Sequence, residues 1–427
     1  MERNQIHKVF LCCSEVSTDS RNIAKNALFF ALKGPNFNGN DHAAQALKNG
    51  AKYAVIDELI EPMHERFIKV ENVLETLQML ASFHRDYLGL TVVALTGSNG
   101  KTTTKELINA ILKPHFNTTA TKGNLNNHIG VPLTLLSMTA ETQIGIVEMG
   151  ANHANEIAAL CKIAKPNIGY ITNFGKAHIE GFGSEKGVVK AKSELYDYLK
   201  AHKGLIILNS DDEKQLEQVG GYKKTFSFSK SLPSSINISL KSSQPFLKLA
   251  FGNTLITSQL MGVYNFYNIA AALTIGRHFK LSSLQLQSGI EAYVPANNRS
   301  QIIEQNSNAI LLDAYNANPS SMEVALENFK IFKSPQKLAI LGDMFELGGI
   351  AAKEHLALVK RAILTEDSDF YFVGSHFFEH KIVHPKLLFF ETFEALKSQL
   401  EKTLISNTAI LVKGSRGMAL ERVVELL

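Results

Sequence analysis

The sequence has 427 residues but no tryptophan, only three cysteines, and no apolar run near the roughly 20 residues that a bilayer crossing needs. Cys12, Cys13 and Cys161 have none of the spacings typical of metal sites, and we expect the adjacent pair to be buried thiols. The opening segment MERNQIHKVF lacks the apolar core of a signal peptide. These absences argue against a disulfide scaffold, a zinc module and a membrane span, and we expect a cytoplasmic protein.

The chain also lacks an excess of one charge. It carries 44 basic and 40 acidic residues, a net charge of +4, spread along the sequence. A net charge this small and evenly spread does not indicate binding of nucleic acid or of a membrane surface. A chain of this length exceeds a typical single core, so two or three domains are predicted.

Three blocks follow one another along the chain, with predicted domains at residues 1–88, 89–294 and 295–427. The first block mixes short apolar strands with polar turns, whereas the other two alternate strands with helices. Strands separated by helices predict an α/β fold with open, doubly wound parallel sheets. A period-two pattern from about Asn237 to Leu260 predicts antiparallel strands at the edge of the second sheet. The third block is expected to end in a helix.

The clearest chemical signal is TVVALTGSNGKTTTKELI at residues 91–108, which has the pattern of a strand, a glycine-bearing turn and a helix. Backbone amides in such a turn and the positive end of the helix suit the phosphates of a nucleotide. Lys101 supplies a point charge and Thr102 a hydroxyl for magnesium. A strict P-loop has a further glycine where this chain has Leu95, so the loop is a compact variant. The predicted phosphate-binding residues are Gly97, Ser98, Asn99, Gly100, Lys101, Thr102 and Thr103.

Two further side chains are expected at the same edge of the sheet. Glu148 ends the apolar strand IGIVEMG, and a carboxylate at the carboxyl end of a parallel strand is well placed to hold magnesium. The alternative for Glu148 is a solvated strand end. His178, in NFGKAHIEGFGS, follows the next strand, but a lone histidine is usually structural and indicates little by itself.

Eight stretches occur in an order that closely resembles the Mur ligases of bacterial cell-wall synthesis. They are TGSNGKTTTKE, TKGNLNNHIGVP, VEMGANHANEI, NFGKAHIEGFGS, KAKSELY, DAYNANPSSM, LGDMFELG and VKGSRGMALE. The resemblance covers essentially the whole chain. NLNNHIGVP and DAYNANPSSM are its most specific parts, because GSNGKT is shared more widely. Folylpolyglutamate synthases share the fold and the phosphate loop but not these two stretches.

The resemblance implies a three-domain Mur ligase architecture, with a central P-loop domain built on a parallel sheet and a C-terminal Rossmann-like domain. The first domain would hold the uridine nucleotide of the substrate, with Ser20, Arg21 and the turn at residues 38–41 facing the diphosphate. The family more often has D-T-R where this chain has DSR, and the hydroxyl is retained. The second domain would hold ATP and the third the incoming dipeptide.

The implied activity is ATP-dependent ligation of D-alanyl-D-alanine to UDP-N-acetylmuramoyl-tripeptide through an acyl phosphate, which forms the UDP-muramoyl-pentapeptide of peptidoglycan synthesis. Such an enzyme serves cell-wall biogenesis, cell shape and cell division. Positive charge must offset the repulsion between a carboxylate and a triphosphate, and Lys101 with two magnesium ions would do so. In this interpretation Thr102 and Glu148 hold the first magnesium, and His178 contributes to the second.

Lys192, in VVKAKSELY, is the most informative residue that the resemblance assigns. In the family the matching lysine is carbamylated by carbon dioxide, which converts a cation into a carboxylate-like magnesium ligand. The residues alone leave a solvated helix lysine as the better reading, with Lys190 and Lys192 both present. Only the family register selects Lys192. The catalytic set implied is Lys101, Glu148, His178 and Lys192.

The same matching implies roles for other polar residues. Asn268 would hydrogen-bond adenine, although Tyr264 stands where the family frequently has histidine. Arg299, at a hinge near residues 294–299, and Asp313 would contact the nucleotide. The residues implied for the sugar-peptide substrate are Asn124, Asn126 and Asn127, and those for the dipeptide cleft are Tyr315, Asn316, Asn318, Pro319 and Arg416, with Lys413 and Ser415 beside Arg416. A monomer is expected.

Two alternatives stay open at this point. One is another amide-forming ligase of the same fold, such as a folylpolyglutamate synthase or the ligase that adds the third residue, although the latter's D-N-P-R-type stretch is absent here. The other is a P-loop ATPase that hydrolyses ATP without ligation. That reading leaves Glu148, His178 and Lys192 unexplained. ATP turnover that requires both peptide substrates distinguishes the ligase from the ATPase.

Overall fold

The computed structural model describes residues 3–296 and 298–427. In the N-terminal part, four short parallel strands form a sheet in the order β1-β2-β5-β6, with a separate two-stranded hairpin β3-β4. These strands are β1 (Val16–Ser17), β2 (Leu28–Phe30), β3 (Lys33–Gly34), β4 (Phe37–Asn38), β5 (Tyr53–Ile56) and β6 (Phe67–Lys69). The helices are α1 (Arg3–Leu11), α2 (Ala43–Lys48) and α3 (Val73–Leu88), with a 3₁₀ turn at Gly39–His42.

The central part is a nine-stranded sheet in the order β15-β14-β13-β12-β11-β10-β7-β9-β8. Its strands are β7 (Thr91–Thr96), β8 (Thr118–Ala120), β9 (Ile144–Glu148), β10 (Ile168–Ile171), β11 (Leu205–Asn209), β12 (Thr225–Ser229), β13 (Ile236–Ser242), β14 (Lys248–Phe251) and β15 (Thr254–Thr257). Its helices are α4 (Lys101–Leu112), α5 (Gly130–Leu136), α6 (Glu156–Ala164), α7 (Ile179–Phe182), α8 (Glu185–Ala201), α9 (Glu213–Val219), α10 (Asn265–His278) and α11 (Ser283–Glu291).

The pattern of burial explains this topology. Strands β9, β10 and β11 are buried along their whole length, as expected for parallel strands covered by helices on both faces. At one edge of the same sheet, β13, β14 and β15 pair antiparallel, and buried residues alternate with exposed ones along them. The predicted parallel sheet and its antiparallel edge are therefore both confirmed.

The C-terminal part has a six-stranded sheet in the order β16-β17-β21-β18-β19-β20. Its strands are β16 (Gln301–Gln305), β17 (Asn308–Leu312), β18 (Gln336–Gly342), β19 (Asp369–Val373), β20 (Leu387–Phe390) and β21 (Thr408–Lys413). Its helices are α12 (Pro319–Ile331), α13 (Ala351–Ile363), α14 (Ser375–Phe378) and α15 (Phe393–Leu400), with 3₁₀ turns at Gly348–Ile350, Arg416–Met418 and Leu420–Leu426. All pairings are parallel except that of β16 with β17.

Two local expectations were wrong. The chain ends in 3₁₀ turns rather than an α-helix, with Leu420 and Val423 packed on the third sheet's core. Cys12 is exposed and Cys13 half-buried, because they lie in the turn that leaves α1, whereas Cys161 is buried. The predicted hinge at residues 294–299 includes residue 297, which lies outside the described residues, and the three domain boundaries stay a prediction.

The topology sets the position of the functional residues. The carboxyl ends of β7, β9 and β10 meet at one edge of the central sheet, and the loops that follow them face the start of α12 in the C-terminal part. None of the helices within residues 3–296 and 298–427 combines the length and the apolar character that a bilayer crossing requires.

Candidate active site

A single cleft of about 1580 Å³ lies between the central and C-terminal sheets. Most of the predicted site residues line it, namely Ser98, Asn99, Gly100, Lys101, Thr102, Thr103, Asn124, Asn126, Asn127, Glu148, His178, Asn268, Arg299, Asp313, Tyr315, Asn316, Asn318, Lys413, Ser415 and Arg416. Gly97, Pro319 and Lys192 lie next to lining residues without lining the cleft themselves, and Ser20 and Arg21 are not part of it. The structure therefore brings together residues that the sequence separates widely.

The phosphate loop is fixed by its glycines and by the end of β10. Gly97 has a φ of 144° and Gly100 a φ of 79°, conformations that favour glycine. A Cβ at Gly97 would collide with the Thr172 side chain, and one at Gly100 would lie 2.5 Å from Asn268 Oδ1. Thr172 Oγ1 also donates to the Asn99 carbonyl at 2.6 Å. The loop is therefore held in its shape before any ligand binds.

Lys101 points back into this loop. Its Nζ donates to the carbonyl oxygens of Gly97 at 2.7 Å and Ser98 at 3.2 Å. Burial lowers the pKa of Lys101, and the nearby Glu148 carboxylate partly offsets that effect. The ammonium group is thus preorganised where a phosphate would meet the first amides of α4.

Glu148 lies beside the start of α4 and is only 2% exposed. Its Oε2 accepts from Thr102 Oγ1 at 2.9 Å and its Oε1 from Asn126 Nδ2 at 2.8 Å. Glu148 and Thr102 therefore form a buried pair of oxygen ligands of the kind that magnesium prefers. In the described part of the chain no group of three or more His, Cys, Asp or Glu side chains could hold a metal, so further ligands must come from other groups.

His178 lines the same cleft just before α7 and has a left-handed backbone with a φ of 53°. Its Nδ1 contacts the carboxylate of Glu346, which follows β18 in the C-terminal part. The hydrogen bond from His178 lowers the pKa of Glu346. Sequence reasoning quoted the LGDMFELG stretch but assigned Glu346 no role, although an acidic residue just after a parallel strand was a usable signal.

Lys192 is fully buried in α8, whereas Lys190 is exposed. Its Nζ donates to the Ala151 carbonyl at 3.2 Å and lies 5.1 Å from the centroid of the Phe182 ring. Burial lowers the pKa of Lys192 to about 7, and the positive charge of Lys101 acts in the same direction. A large fraction of this amine is therefore uncharged near neutral pH.

Asn268 supports the phosphate loop from α10. Its Oδ1 accepts from Thr104 Oγ1 at 3.1 Å, and its Nδ2 donates to Asn265 Oδ1 at 2.8 Å. Next to it, the buried Tyr264 hydroxyl forms a 2.8 Å hydrogen bond with Ser300 Oγ, and burial raises the pKa of Tyr264. These bonds fix the wall of the cleft that faces the C-terminal part.

The opposite wall carries the charged residues that follow β17 and β21. The Tyr315 ring lies 3.5 Å below the Arg299 guanidinium and 5.5 Å from that of Arg416. Asp313 accepts from the buried Lys413 Nζ at 2.6 Å, which neutralises its charge. Arg416 is largely exposed and forms an ion pair with Glu421 at 3.3 Å.

Polar contacts join the two walls near the phosphate loop. Asn318, the N-cap of α12, donates from Nδ2 to Asn99 Oδ1 at 2.7 Å. The Lys176 amide donates to Ser320 Oγ at 2.8 Å, and Lys176 Nζ lies 3.4 Å from Glu354. Sequence reasoning missed Lys176, Ser320 and Glu354, because nothing local marks a contact between distant segments.

The residues predicted to face a uridine diphosphate lie in the N-terminal part. Arg21 is exposed and paired with Asp19 at 2.9 Å. In the turn at residues 38–41, Asn40 is buried and donates from Nδ2 to Asp57 Oδ1 at 2.9 Å, which fixes the turn on the end of β5. A role for these residues in substrate binding stays a prediction.

Comparison with known proteins agrees with this architecture. Three family profiles match in order: "Mur ligase family, catalytic domain" at residues 13–85, "Mur ligase middle domain" at 95–276 and "Mur ligase, glutamate ligase domain" at 298–416. The UDP-N-acetylmuramoyl-tripeptide–D-alanyl-D-alanine ligase of Bacillus subtilis is 31% identical, with 96% of this chain and 92% of that protein covered. The Escherichia coli ligase of the same name is 33% identical, with coverage of 96% and 93%.

Solved structures agree with the sequence relatives. The crystal structure of MurF from Acinetobacter baumannii superposes with a TM-score of 0.87 at 28% identity, covering 99% of this chain and 97% of that one. MurF ligase from Thermotoga maritima, in complex with ADP, superposes with a TM-score of 0.84 at 27% identity, covering 98% and 97%. The predicted three-domain fold is confirmed, and the chain belongs to the Mur ligase family, among the MurF ligases.

Proposed function

We propose that this chain joins D-alanyl-D-alanine to UDP-N-acetylmuramoyl-tripeptide, with cleavage of ATP, to make the pentapeptide precursor of peptidoglycan. One observation carries the proposal: the phosphate loop and the residues of DAYNANPSSM line the same cleft, and Asn99 and Asn318 connect them directly. Acyl transfer through an acyl phosphate requires this proximity, because the activated carbonyl and the attacking amine must meet. Near-full-length relatives of that name support the choice of substrates.

The central wall of the cleft activates the carboxylate. Lys101 and the first amides of α4 supply positive charge where the phosphates lie, and this charge offsets the repulsion of the incoming carboxylate. Thr102, Asn126 and Glu148 keep one another oriented through hydrogen bonds. The third-domain wall, with Tyr315, holds the dipeptide for attack on the activated carbonyl.

Magnesium fits the residues at this site. Thr102 and Glu148 offer neighbouring buried oxygens and would hold one ion, and His178 would contribute to a second. Bound magnesium supplies positive charge that stabilises the transferring phosphoryl group. The small number of protein ligands suits a metal that retains waters and shares substrate phosphates.

Carbamylation of Lys192 fits the environment of its amine. An uncharged amine attacks carbon dioxide, forms an N–C bond and releases a proton, and the product is a carbamate anion. The lowered pKa of Lys192 favours this step, because an ammonium group has no lone pair. The carbamate oxygens would then supply a second anionic metal ligand in addition to Glu148.

The proposal includes a cytoplasmic, monomeric protein whose N-terminal domain binds the uridine nucleotide through Ser20, Arg21 and the turn at residues 38–41. Phosphate release from ATP and magnesium, measured with UDP-N-acetylmuramoyl-tripeptide and with D-alanyl-D-alanine added or omitted, tests the central claim. We expect phosphate release to depend on both substrates. We also expect mass spectrometry to detect a pentapeptide product. Release without the dipeptide would favour a simple ATPase, and turnover with folate and glutamate would favour the other ligase class.

A further inference from the structure

The incoming dipeptide presents a problem that the predicted residues do not solve. Its amino group is mostly an ammonium ion near neutral pH, since an α-amino group titrates near pH 8. The third-domain residues predicted to face it, Tyr315, Asn316, Asn318 and Arg416, are neutral or positively charged. A cleft that takes this substrate needs a carboxylate or carbonyl group for the ammonium end.

Three carboxylates of the third domain line the described cleft, and two of them are already neutralised. Asp313 accepts from the buried Lys413 Nζ at 2.6 Å. Glu327, on α12, is paired with Arg361 of α13. Among the described residues no Lys or Arg pairs with Glu346, and its carboxylate contacts only the imidazole of His178, which belongs to the central domain. A movement that separates the two domains therefore frees Glu346.

The segment before Glu346 is fixed by buried hydrogen bonds. The amide of Met344 donates to Nε2 of the fully buried His355 at 3.0 Å. The next amide, of Phe345, donates to Ser415 Oγ at 2.9 Å, and the Ser415 amide donates to the Asp343 carbonyl at 3.1 Å. These bonds tie the loop after β18 to the loop after β21.

Glu346 itself has a left-handed backbone with a φ of 62°, which is uncommon outside glycine. Such conformations cost free energy and persist where the surrounding structure enforces them, often at functional sites. The side chain of Glu346 is 53% exposed, so the loop presents the carboxylate to the cleft rather than burying it.

Opposite charges flank this position. The Phe345 ring packs on Gly417, the residue after Arg416, so the Glu346 carboxylate and the Arg416 guanidinium extend from adjoining segments. A zwitterionic dipeptide carries one positive and one negative end. The third-domain wall therefore carries both charges, with Arg416 paired to Glu421 and Glu346 facing His178 until the dipeptide binds.

We propose that Glu346 binds the ammonium group of the incoming dipeptide and positions its nitrogen at the third-domain wall of the cleft. This inference rests on the proposed function, because it concerns the second substrate of that reaction. Glu346 is then a substrate-binding residue, and its pairing with His178 is exchanged for pairing with the substrate.

The test compares two ligands that differ at one group. Full-length protein is loaded with a non-hydrolysable ATP analogue and UDP-N-acetylmuramoyl-tripeptide, and then titrated by calorimetry with D-alanyl-D-alanine or with D-lactyl-D-alanine, which has a hydroxyl in place of the ammonium group. A charge-assisted hydrogen bond corresponds to about a 10- to 100-fold preference for the ammonium form in the wild-type chain. We expect Glu346→Gln to reduce this preference toward one and Glu346→Asp to keep part of it.

The matched control is Glu327→Gln, which removes another carboxylate from the same domain and the same cleft and should keep the wild-type preference. The readout is a ratio of two dissociation constants measured in one preparation. A fraction of unfolded protein affects both titrations equally and therefore does not change this ratio. Glu346→Gln with an undiminished preference would overturn the role of Glu346 alone. Failure of the wild-type complex to bind the dipeptide would overturn the proposed function as well.

Discussion

The central domain contacts its two neighbours in different ways. With the N-terminal domain it shares one continuous apolar core, which includes Leu77 and Leu80 of α3 together with Leu135 and Leu195 of the central helices. With the C-terminal domain it makes several polar contacts, such as Asn99 with Asn318, His178 with Glu346, and Lys176 with Glu354, and its Met261 packs in the third-domain core. One interface resembles the inside of a domain, and the other resembles a transient association.

The difference between the two interfaces indicates which domain moves. Separating the first two domains would expose the many apolar side chains of a shared core, whereas separating the third domain would expose few, such as Met261, and would exchange its polar contacts for water. We therefore expect the N-terminal and central domains to act as one fixed unit and the C-terminal domain to close on it. The phosphate loop and Lys192 belong to the fixed unit, and Glu346 belongs to the mobile part.

The largest effect on stability should come from breaking the apolar interface. Leu80→Ala removes a fully buried side chain from the shared core. We expect a loss of about 2–5 kcal/mol in the free energy of unfolding, measured by urea denaturation. Leu284→Ala, at a position 73% exposed, is the control and should change little. Equal losses for the two variants would contradict a shared core.

The next effect concerns chemistry on the fixed unit. Lys192→Ala removes the amine that we expect to carry the carbamate, and kcat should fall about 100-fold, as for loss of a group that supports a metal site. Short carboxylic acids should restore part of the activity by entering the gap. Labelling with ¹³C carbon dioxide should give a carbamate signal in the wild-type chain that increases as the pH rises through about 7.

Lys190→Ala is the matched control for this experiment, because Lys190 is exposed on the same helix. It should keep both the activity and the ¹³C signal. An alanine variant at Lys192 with full activity and no need of rescue would exclude the carbamate.

A smaller effect is expected at the polar interface. Asn318→Asp keeps an oxygen that caps α12 but loses the Nδ2 donor to Asn99. The unfolding free energy should change by less than about 1 kcal/mol, since the cap remains. Small-angle scattering should show compaction of the wild-type chain when an ATP analogue and the tripeptide nucleotide bind together, and less compaction in the variant.

Asn318→Ala separates the two roles of this side chain, because it removes the cap as well and should be less stable than the aspartate variant. A wild-type chain whose radius of gyration does not change on binding would count against closure of the third domain.

The smallest effect is a pH dependence at the fixed interface. His7 Nε2 and His84 Nδ1 form a buried hydrogen bond of 3.0 Å, and His84 Nε2 bonds the Met138 carbonyl of the central domain at 2.9 Å. Burial lowers the pKa of both histidines. Below pH 6.5 the unfolded chain therefore binds protons that the folded chain resists, and stability should fall as the pH decreases.

Differential scanning calorimetry between pH 8 and pH 5.5 measures this trend. The double variant His7→Phe with His84→Gln retains a donor for Met138 but cannot titrate there. Its midpoint temperature should depend less on pH than that of the wild-type chain, and an unchanged slope would assign the pH dependence to other groups.

The sequence predicted features that neighbouring residues form, but it did not predict contacts between segments that lie far apart in the chain. The phosphate loop, the parallel strands and Glu148 follow from short patterns, since a strand, a glycine turn and a helix fix their own geometry. Sequence reasoning chose Lys192 over Lys190 from the family resemblance alone, although the apolar spacing around Lys192 was a usable signal. Val188, Lys192, Leu195 and Leu199 recur at helical spacing on the buried face of α8.

No short sequence pattern predicts the contacts between domains. Glu346, Ser320 and Glu354 meet the central domain only because the third sheet is placed against it, and each looks like an ordinary surface residue in its own segment. The same is true of the hydrogen bonds of Asn268 with Thr104 and Asn265, which support the phosphate loop, and its contact with adenine stays a prediction.

The complete burial of Lys192 also affects how long a modification at this site would last. A carbamate on an exposed amine exchanges with dissolved carbon dioxide freely, but one packed against Phe182 and the Ala151 carbonyl is released only when its surroundings open locally. The fraction of Lys192 that carries the carbamate would then reflect the carbon dioxide concentration and the pH at the time when the surroundings of Lys192 last opened. It would not reflect the conditions in the assay buffer. Two preparations of one sequence would differ in activity through their history alone.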